Sequence, residues 1–220
     1  MQIDYCEFPD DALYDLDNNV WIRLDGKSAK LGITSVHAAL AGKLNQFKFK
    51  PIGSSLHRGQ SIATIESVRY FGAVRTPLTG RLVELNPVLE NDPKSANDYP
   101  YDSGWFVRIE PTQLAQEMKA LIGAKAAEER IRLQIHELRV RCFKAFPDHE
   151  MWEIGVECAG VLVRLNDLMQ RSSLNEVVHV VSDDPTADIE MVRWSDESGQ
   201  QLLESRKEGK LIHFVVRKVK

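Results

Sequence analysis

Long apolar runs are missing from this 220-residue chain. No stretch approaches the roughly 20 consecutive apolar residues of a membrane span, and the opening MQIDYCEFPDDALYD is acidic where a signal peptide is basic and then apolar. The expectation is a soluble, cytoplasmic protein. Cysteine is scarce: Cys6, Cys142 and Cys158 are odd in number and widely spaced, with no C-x-x-C pair. Neither a disulfide framework nor a zinc site is expected from them. A dominant charge is also absent. The net charge is −4, too modest and of the wrong sign for a protein that holds nucleic acid through a basic field. There is no phosphate-cradling glycine loop, dinucleotide fingerprint, metal-ligand spacing or set of nucleophile, base and orienter. What is present is ordinary globular composition, 43% hydrophobic and 27% charged, enough for a packed core.

From residue 20 to about residue 111 the chain reads as short alternating segments, at 20–24, 29–33, 43–50, 61–68 and 81–85. Gly26, Pro51, Gly53, Gly59, Gly72, Pro77, Gly80, Pro87 and Pro93 stand between them. Punctuation this frequent predicts an all-β sandwich or barrel. Thr34 is placed to cap a short helix over SVHAALA. The composition changes after Pro111. Residues 112–146 hold one glycine, no proline, seven basic and four acidic groups, with Ile131, Ile135, Leu138 and Cys142 at helical spacing. A cationic helical linker over 119–147 is expected, following a first domain over 1–118. Beyond Pro147 the order of elements is βαβαββ, an α+β two-layer sandwich over 148–220. Ser182-Asp183-Asp184-Pro185 there has the acidic cap and early proline that open a helix.

The first domain resembles the H protein of the glycine cleavage system, a lipoyl-type barrel-sandwich hybrid. The resemblance rests on VWIRLDG (20–26), LGIT (31–34), Pro51, Gly53, Gly59, Glu66-Ser67-Val68, Pro77, Thr79-Gly80, VELNP (83–87), Leu89, Asn97, Pro100-Tyr101 and Gly104-Trp105. In that family E-S-V is followed by a lysine at a hairpin tip, whose amine is acylated by lipoate. Here the residue is Arg69, and no lysine lies between Lys50 and Lys94. Acylation needs a neutral, nucleophilic amine, whereas a guanidinium stays protonated with its lone pairs delocalised. No lipoate cofactor is therefore expected. Arg69, Tyr70 and Phe71 are read instead as ordinary hairpin residues or as a recognition patch, since Arg and aromatics are enriched at interface hot spots. Glu66 is read as a solvated strand residue.

The last domain resembles the TusA-type sulfur carriers, which hold sulfur as a cysteine persulfide. The matching residues are Gly155-Val156-Glu157-Cys158 between first strand and first helix, Ser182 to Pro185, Asp188-Ile189, Leu202-Leu203-Glu204 and Phe214 to Lys218. The family's C-P-x-P reads Cys158-Ala159-Gly160-Val161 here, so the cysteine is kept and both prolines are gone. The resemblance implies Cys158 as the persulfide carrier. A helix N-terminus favours a thiolate, and the opposing reading is a small buried core residue.

The other cysteines are read as structural or incidental, Cys6 in a tail and Cys142 on a helix. His179 and His213 are expected in the core or on a sheet face, His37 and His57 at the surface, and Asp183-Asp184 as a cap. Together these features point to a sulfur carrier or relay, in which Cys158 takes up sulfur and the barrel docks sulfur-transfer or lipoate-related enzymes. The alternative is a non-catalytic binding or regulatory protein built from two former carriers. A working H protein is disfavoured by Arg69. All three are carriers or binding proteins rather than autonomous enzymes, with no nucleic-acid or membrane partner, and no oligomeric state follows from the sequence.

Overall fold

The computed structural model describes residues 1–220 and divides into two compact units, Met1–Cys142 and Phe143–Lys220. The first unit opens with a two-stranded hairpin, β1 (Gln2–Ile3) and β2 (Cys6–Glu7). Then come β3 (Leu13–Asp15), β4 (Val20–Asp25), β5 (Ser28–Ile33), α1 (Ser35–Ala41), β6 (Leu44–Phe49), β7 (Ser55–Leu56), β8 (Ser61–Ser67), β9 (Phe71–Arg75) and β10 (Gly80–Leu85). Three one-turn helices, α2 (Val88–Asn91), α3 (Ser95–Asp98) and α4 (Leu114–Glu117), flank β11 (Val107–Pro111). The unit closes with β12 (Ile122–Gly123) and α5 (Ala124–Glu137). A seven-stranded sheet in the order β12-β3-β4-β5-β11-β10-β7 and a three-stranded sheet β6-β8-β9 make the barrel-sandwich fold.

Alternation along these strands sends Val20, Ile22, Leu31, Ile33, Ala63, Ile65, Val74, Leu82 and Ile109 into one core. Phe106 is buried among them, edge-on to Phe47 and Phe49. Residues of the opposite parity build a second core. Trp21 and Tyr14 join Ile3, Phe8 and Tyr101 there, and against them pack Ala127, Ile131 and Ile135 of α5. The indole of Trp21 donates to the Pro100 carbonyl at 2.9 Å, so its one polar atom is satisfied inside.

That second core corrects three expectations. The helical segment is not a free linker over 119–147, because α5 buries its i, i+4, i+8 face (Ala127, Ile131, Ile135) in the first unit, which runs to Cys142. Nor is Cys142 on a helix: α5 ends at Glu137, and Arg139 takes a left-handed φ of 52° that turns the chain away. Most importantly, Cys6 and Cys142 are joined in a disulfide, their Cα atoms 5.0 Å apart and 136 residues apart in sequence. Wide spacing excluded nothing, since pairing depends on the fold that brings β2 beside the end of α5. The bond also bears on the expected cytoplasmic setting, because structural disulfides persist in oxidising compartments and are rare in cytosol. No helix of the chain is long and apolar enough to cross a membrane.

The second unit has the predicted order: β13 (His149–Glu153), α6 (Cys158–Arg171), β14 (Val177–Ser182), α7 (Ala187–Ser198), β15 (Gln201–Glu208) and β16 (Leu211–Arg217). The sheet runs β13-β14-β16-β15, with β13 and β14 parallel and the remaining pairs antiparallel. Val161, Leu165 and Met169 of α6 and Met191 and Trp194 of α7 cover one sheet face, meeting Met151, Val178, Val180, Phe214 and Val216. Trp194 donates its indole N–H to Asn166 at 2.8 Å, linking the two helices.

Candidate functional site

Two places carry the chemistry that the sequence singles out: the hairpin between β8 and β9, and the start of α6. At the hairpin, Ser67 organises the turn. Its hydroxyl donates to the carbonyl of Ala41 at the end of α1 and accepts the amides of Arg69 at 3.2 Å and Tyr70 at 3.1 Å. The Ser67 amide donates to the Tyr70 carbonyl at 2.8 Å and closes the loop.

The side chains then part in two directions. Arg69 folds back, and its Nη2 donates to the carbonyl of Ala39 at 3.1 Å. A cation at the C-terminal end of a helix meets the negative pole of its dipole. The guanidinium lies so close to Gly42, where φ is 73°, that a Cβ there would stand 2.5 Å from Nε. Glycine at that position serves both the positive φ and the close approach. Tyr70 also turns inward, with its hydroxyl 3.1 Å from His37 Nε2 and the rings edge-on. His37 is therefore buried rather than at the surface as its sequence position suggested, and burial pushes its pKa below the ordinary histidine value. His57, by contrast, is exposed as expected. Asn97 completes the support: it accepts from the Leu44 amide at 2.9 Å and donates to the carbonyl of Gly42 at 2.9 Å.

Two of the outward side chains are apolar. Val68 is 99% exposed and Phe71 74% exposed, and between them Arg69 is exposed while bonded to α1 and Tyr70 is half-buried. Val68, not singled out by the sequence, is the most prominent residue of the hairpin. An apolar residue at the centre of a turn is the signal that could have marked it.

In the second unit, Cys158 is the first residue of α6 and the free cysteine of the chain. It is 4% exposed. Its amide donates to Asp184 Oδ2 at 2.8 Å, and the neighbouring Asp183 accepts the Gly155 amide at 2.8 Å. The two carboxylates thus tie the loop before α6 to the loop before α7. Asp184 does not cap α7 as expected; the Ncap residue is Thr186, whose hydroxyl and amide both donate to Asp184 Oδ1. Those bonds and the one from Cys158 hold the Asp184 carboxyl below the usual carboxylate range. The thiol is pushed the other way. Burial raises its pKa first, and the charges of Asp184 and Glu190 add to it. The dipole that favours a thiolate is outweighed, because an amide it would offer to an anion is already used by a carboxylate.

Asp184→Asn tests this balance. Asparagine keeps an acceptor for the Cys158 amide and removes the charge, so alkylation of Cys158 by iodoacetamide at neutral pH should accelerate about three- to tenfold. An unchanged rate assigns the raised pKa to burial and Glu190, without Asp184.

His179 and His213 are buried as expected, but against each other, with Nε2 of one 2.9 Å from Nδ1 of the other. No group of three or more His, Cys, Asp or Glu side chains is placed to hold a metal ion.

Comparison with known proteins bears on the first unit. The family model described as glycine cleavage H-protein matches residues 13–134. Glycine cleavage system H protein 5 of Aquifex aeolicus is 33% identical over 145 residues, covering 64% of this chain and 98% of that protein. H protein 3 of the same organism is 35% identical over 144 residues, 63% of this chain and 89% of its own length. Among solved structures, a glycine cleavage system H protein from Mycobacterium marinum is similar, with TM-score 0.50 and 26% identity over 56% of this chain and 98% of that one.

Proposed function

The chain belongs to the glycine cleavage H-protein family over residues 13–134, and from that premise we propose that it is a non-lipoylated member which acts by docking protein partners. The observation that carries this reading is Arg69. At the position where the family keeps its acylated lysine, this chain has a side chain that cannot be acylated and that is bonded down onto α1. A swinging arm needs a free tether; here the exposed side chain at the tether position is hydrogen-bonded back to the Ala39 carbonyl. The exposed pair left on the hairpin, Val68 and Phe71, supplies an apolar anchor of the kind that dominates interface energies. The partners proposed are enzymes that handle lipoyl groups or transfer sulfur.

The test uses purified lipoate-protein ligase as the probe and the full chain as its ligand. Val68→Ser with Phe71→Ser should weaken binding by about tenfold or more, the scale of losing a hot-spot aromatic. Equal affinity of the double variant and the unaltered chain would refute docking through this hairpin.

A second reading, sulfur relay through Cys158, is favoured by one observation: that thiol sits at the opening of α6 in the second unit. The step it requires is attack of the Cys158 thiolate on the outer sulfur of a persulfide donor R–S–SH. A new S–S bond forms on Cys158, the donor's S–S bond breaks, and R–S⁻ leaves and is protonated. Incubation with cysteine persulfide followed by mass analysis decides it. One added sulfur on Cys158 supports relay, and none on either the unaltered chain or Asp184→Asn eliminates it.

A further inference from the structure

The α6–α7 layer covers one face of the second unit's sheet, and the other face holds a buried pair of titratable rings. His179 on β14 is 3% exposed and His213 on β16 is fully buried. Their rings lie nearly parallel, at 12°, and share the 2.9 Å bond between His179 Nε2 and His213 Nδ1. One nitrogen of that bond must carry a proton and the other must be bare. The pair therefore tolerates the neutral state and one extra proton on an outer nitrogen. It cannot tolerate two, because all four nitrogens would then be donors and two cations would face each other in a buried site.

The lid over this pair is the start of the unit. Phe143 lies against His179 with ring centroids 4.4 Å apart and the rings tilted by 43°, and the Lys144 amide donates to Glu204 at 2.9 Å. Arg206 lies over the ring of Phe143 at 4.9 Å and is ion-paired to Glu204. Trp152 of β13 closes the flank, about equally distant from both imidazoles at 6.0 and 6.3 Å. The preceding residue, Cys142, is fixed by its disulfide.

We propose that the His179–His213 pair is a proton-operated latch that holds the Phe143–Lys144 segment on the sheet and releases it in acid. The charged groups around the pair set its direction. Glu150 stands opposite His179 in the β13–β14 register. From β15 come Glu204, Arg206 and Glu208, the last with Oε2 3.6 Å from His213 Nε2. Lys144, exposed, belongs to the lid, and Arg217 lies at the far end of β16. Three carboxylates near the rings welcome the first proton. The second meets both that charge and the guanidinium of Arg206, which is held beside it, and relief comes by parting the rings and admitting water. Phe143 rests on one of those rings, so parting them removes its platform.

Amide hydrogen exchange on the full, oxidised chain tests the latch. Between about pH 7.5 and about pH 4.5, after correction for the intrinsic pH dependence of exchange, the protection of the Lys144 amide should fall about tenfold or more. The Val180 amide, in the middle of the sheet, should keep its protection. In His179→Phe with His213→Phe, an apolar pair with nothing to protonate, Lys144 protection should be the same at both pH values. If that variant does not fold, His213→Gln replaces it, because a single imidazole cannot become a doubly charged pair. A Lys144 amide indifferent to pH overturns the latch. So does an equal loss in the variants, and so does a parallel loss at Val180, which would be unfolding of the whole unit.

Discussion

Replacing Arg69 by lysine should make this chain a substrate for lipoylation, where the unaltered protein gains no mass. With lipoate-protein ligase, lipoate and ATP, the Arg69→Lys variant should acquire one lipoyl group, mapped by proteolysis to the peptide that spans the hairpin. The map is unambiguous because no other lysine lies between Lys50 and Lys94. The variant should fold. A surface cation at a helix C-terminus contributes about 0.3–1 kcal/mol, and lysine still offers a cation to the Ala39 carbonyl. The hairpin's main supports, Ser67 and Asn97, are untouched. Only the nucleophile changes, from a delocalised guanidinium to an amine that can lose its proton and attack. Acylation of the unaltered chain would overturn the reading of Arg69. A folded, unacylated lysine variant would place the lost recognition elsewhere in the hairpin, with inward-turned Tyr70 the first residue to examine.

The contrast between residue identity and residue direction runs through what the sequence made legible. That Arg69 replaces an acylable lysine is a fact of one position, and it needed no structure. That Arg69 and Tyr70 turn back onto α1 while Val68 and Phe71 face out depends on Ala39, His37 and Gly42, about 30 residues away in the chain. Local signals served well. Thr34 accepts the His37 amide as a cap does, and the βαβαββ order of the second unit follows from periodicity and turn residues over short windows. Signals that depend on a distant partner did not. Ile131 and Ile135 of the helical face are legible, while Leu138, read with them, is exposed past the end of α5; their partners Ile3, Phe8 and Tyr14 lie in a stretch that reads as a tail, so the helix reads as a linker. Cys158 could be placed at a helix start, yet the burial that raises its pKa, and after it the charges of Asp184 before α7 and Glu190 on α7, come from distant parts of the chain. The pairing of Cys6 with Cys142 had no local signature at all.

That disulfide carries the largest expected effect on stability. A cross-link acts mainly by restricting the unfolded chain, and the restriction grows with the loop it closes; for loops of a hundred residues or more the chain-entropy estimate is about 4–5 kcal/mol. The loop from Cys6 to Cys142 takes in nearly the whole first unit. Reduction by a dithiol, or Cys6→Ser, should therefore lower the unit's unfolding free energy by about 4 kcal/mol, a large share of the 5–15 kcal/mol that a domain holds. The loss should be local. Amide exchange at Ile131 should accelerate by orders of magnitude while Val180, in a unit with no cross-link, stays as protected as before. The first elements to loosen should be β1 and β2, two residues each and too short to hold as an isolated hairpin. They carry Ile3 and Cys6 into the second core, so their release exposes the apolar face of α5. A change below about 1 kcal/mol in guanidinium titrations of oxidised and reduced chain would mean that packing of Phe8, Tyr14 and Trp21 holds this end unaided. A change of the expected size makes the redox state of the compartment a determinant of how much of the first unit is folded, and with it the integrity of the fold that presents the Val68–Phe71 hairpin.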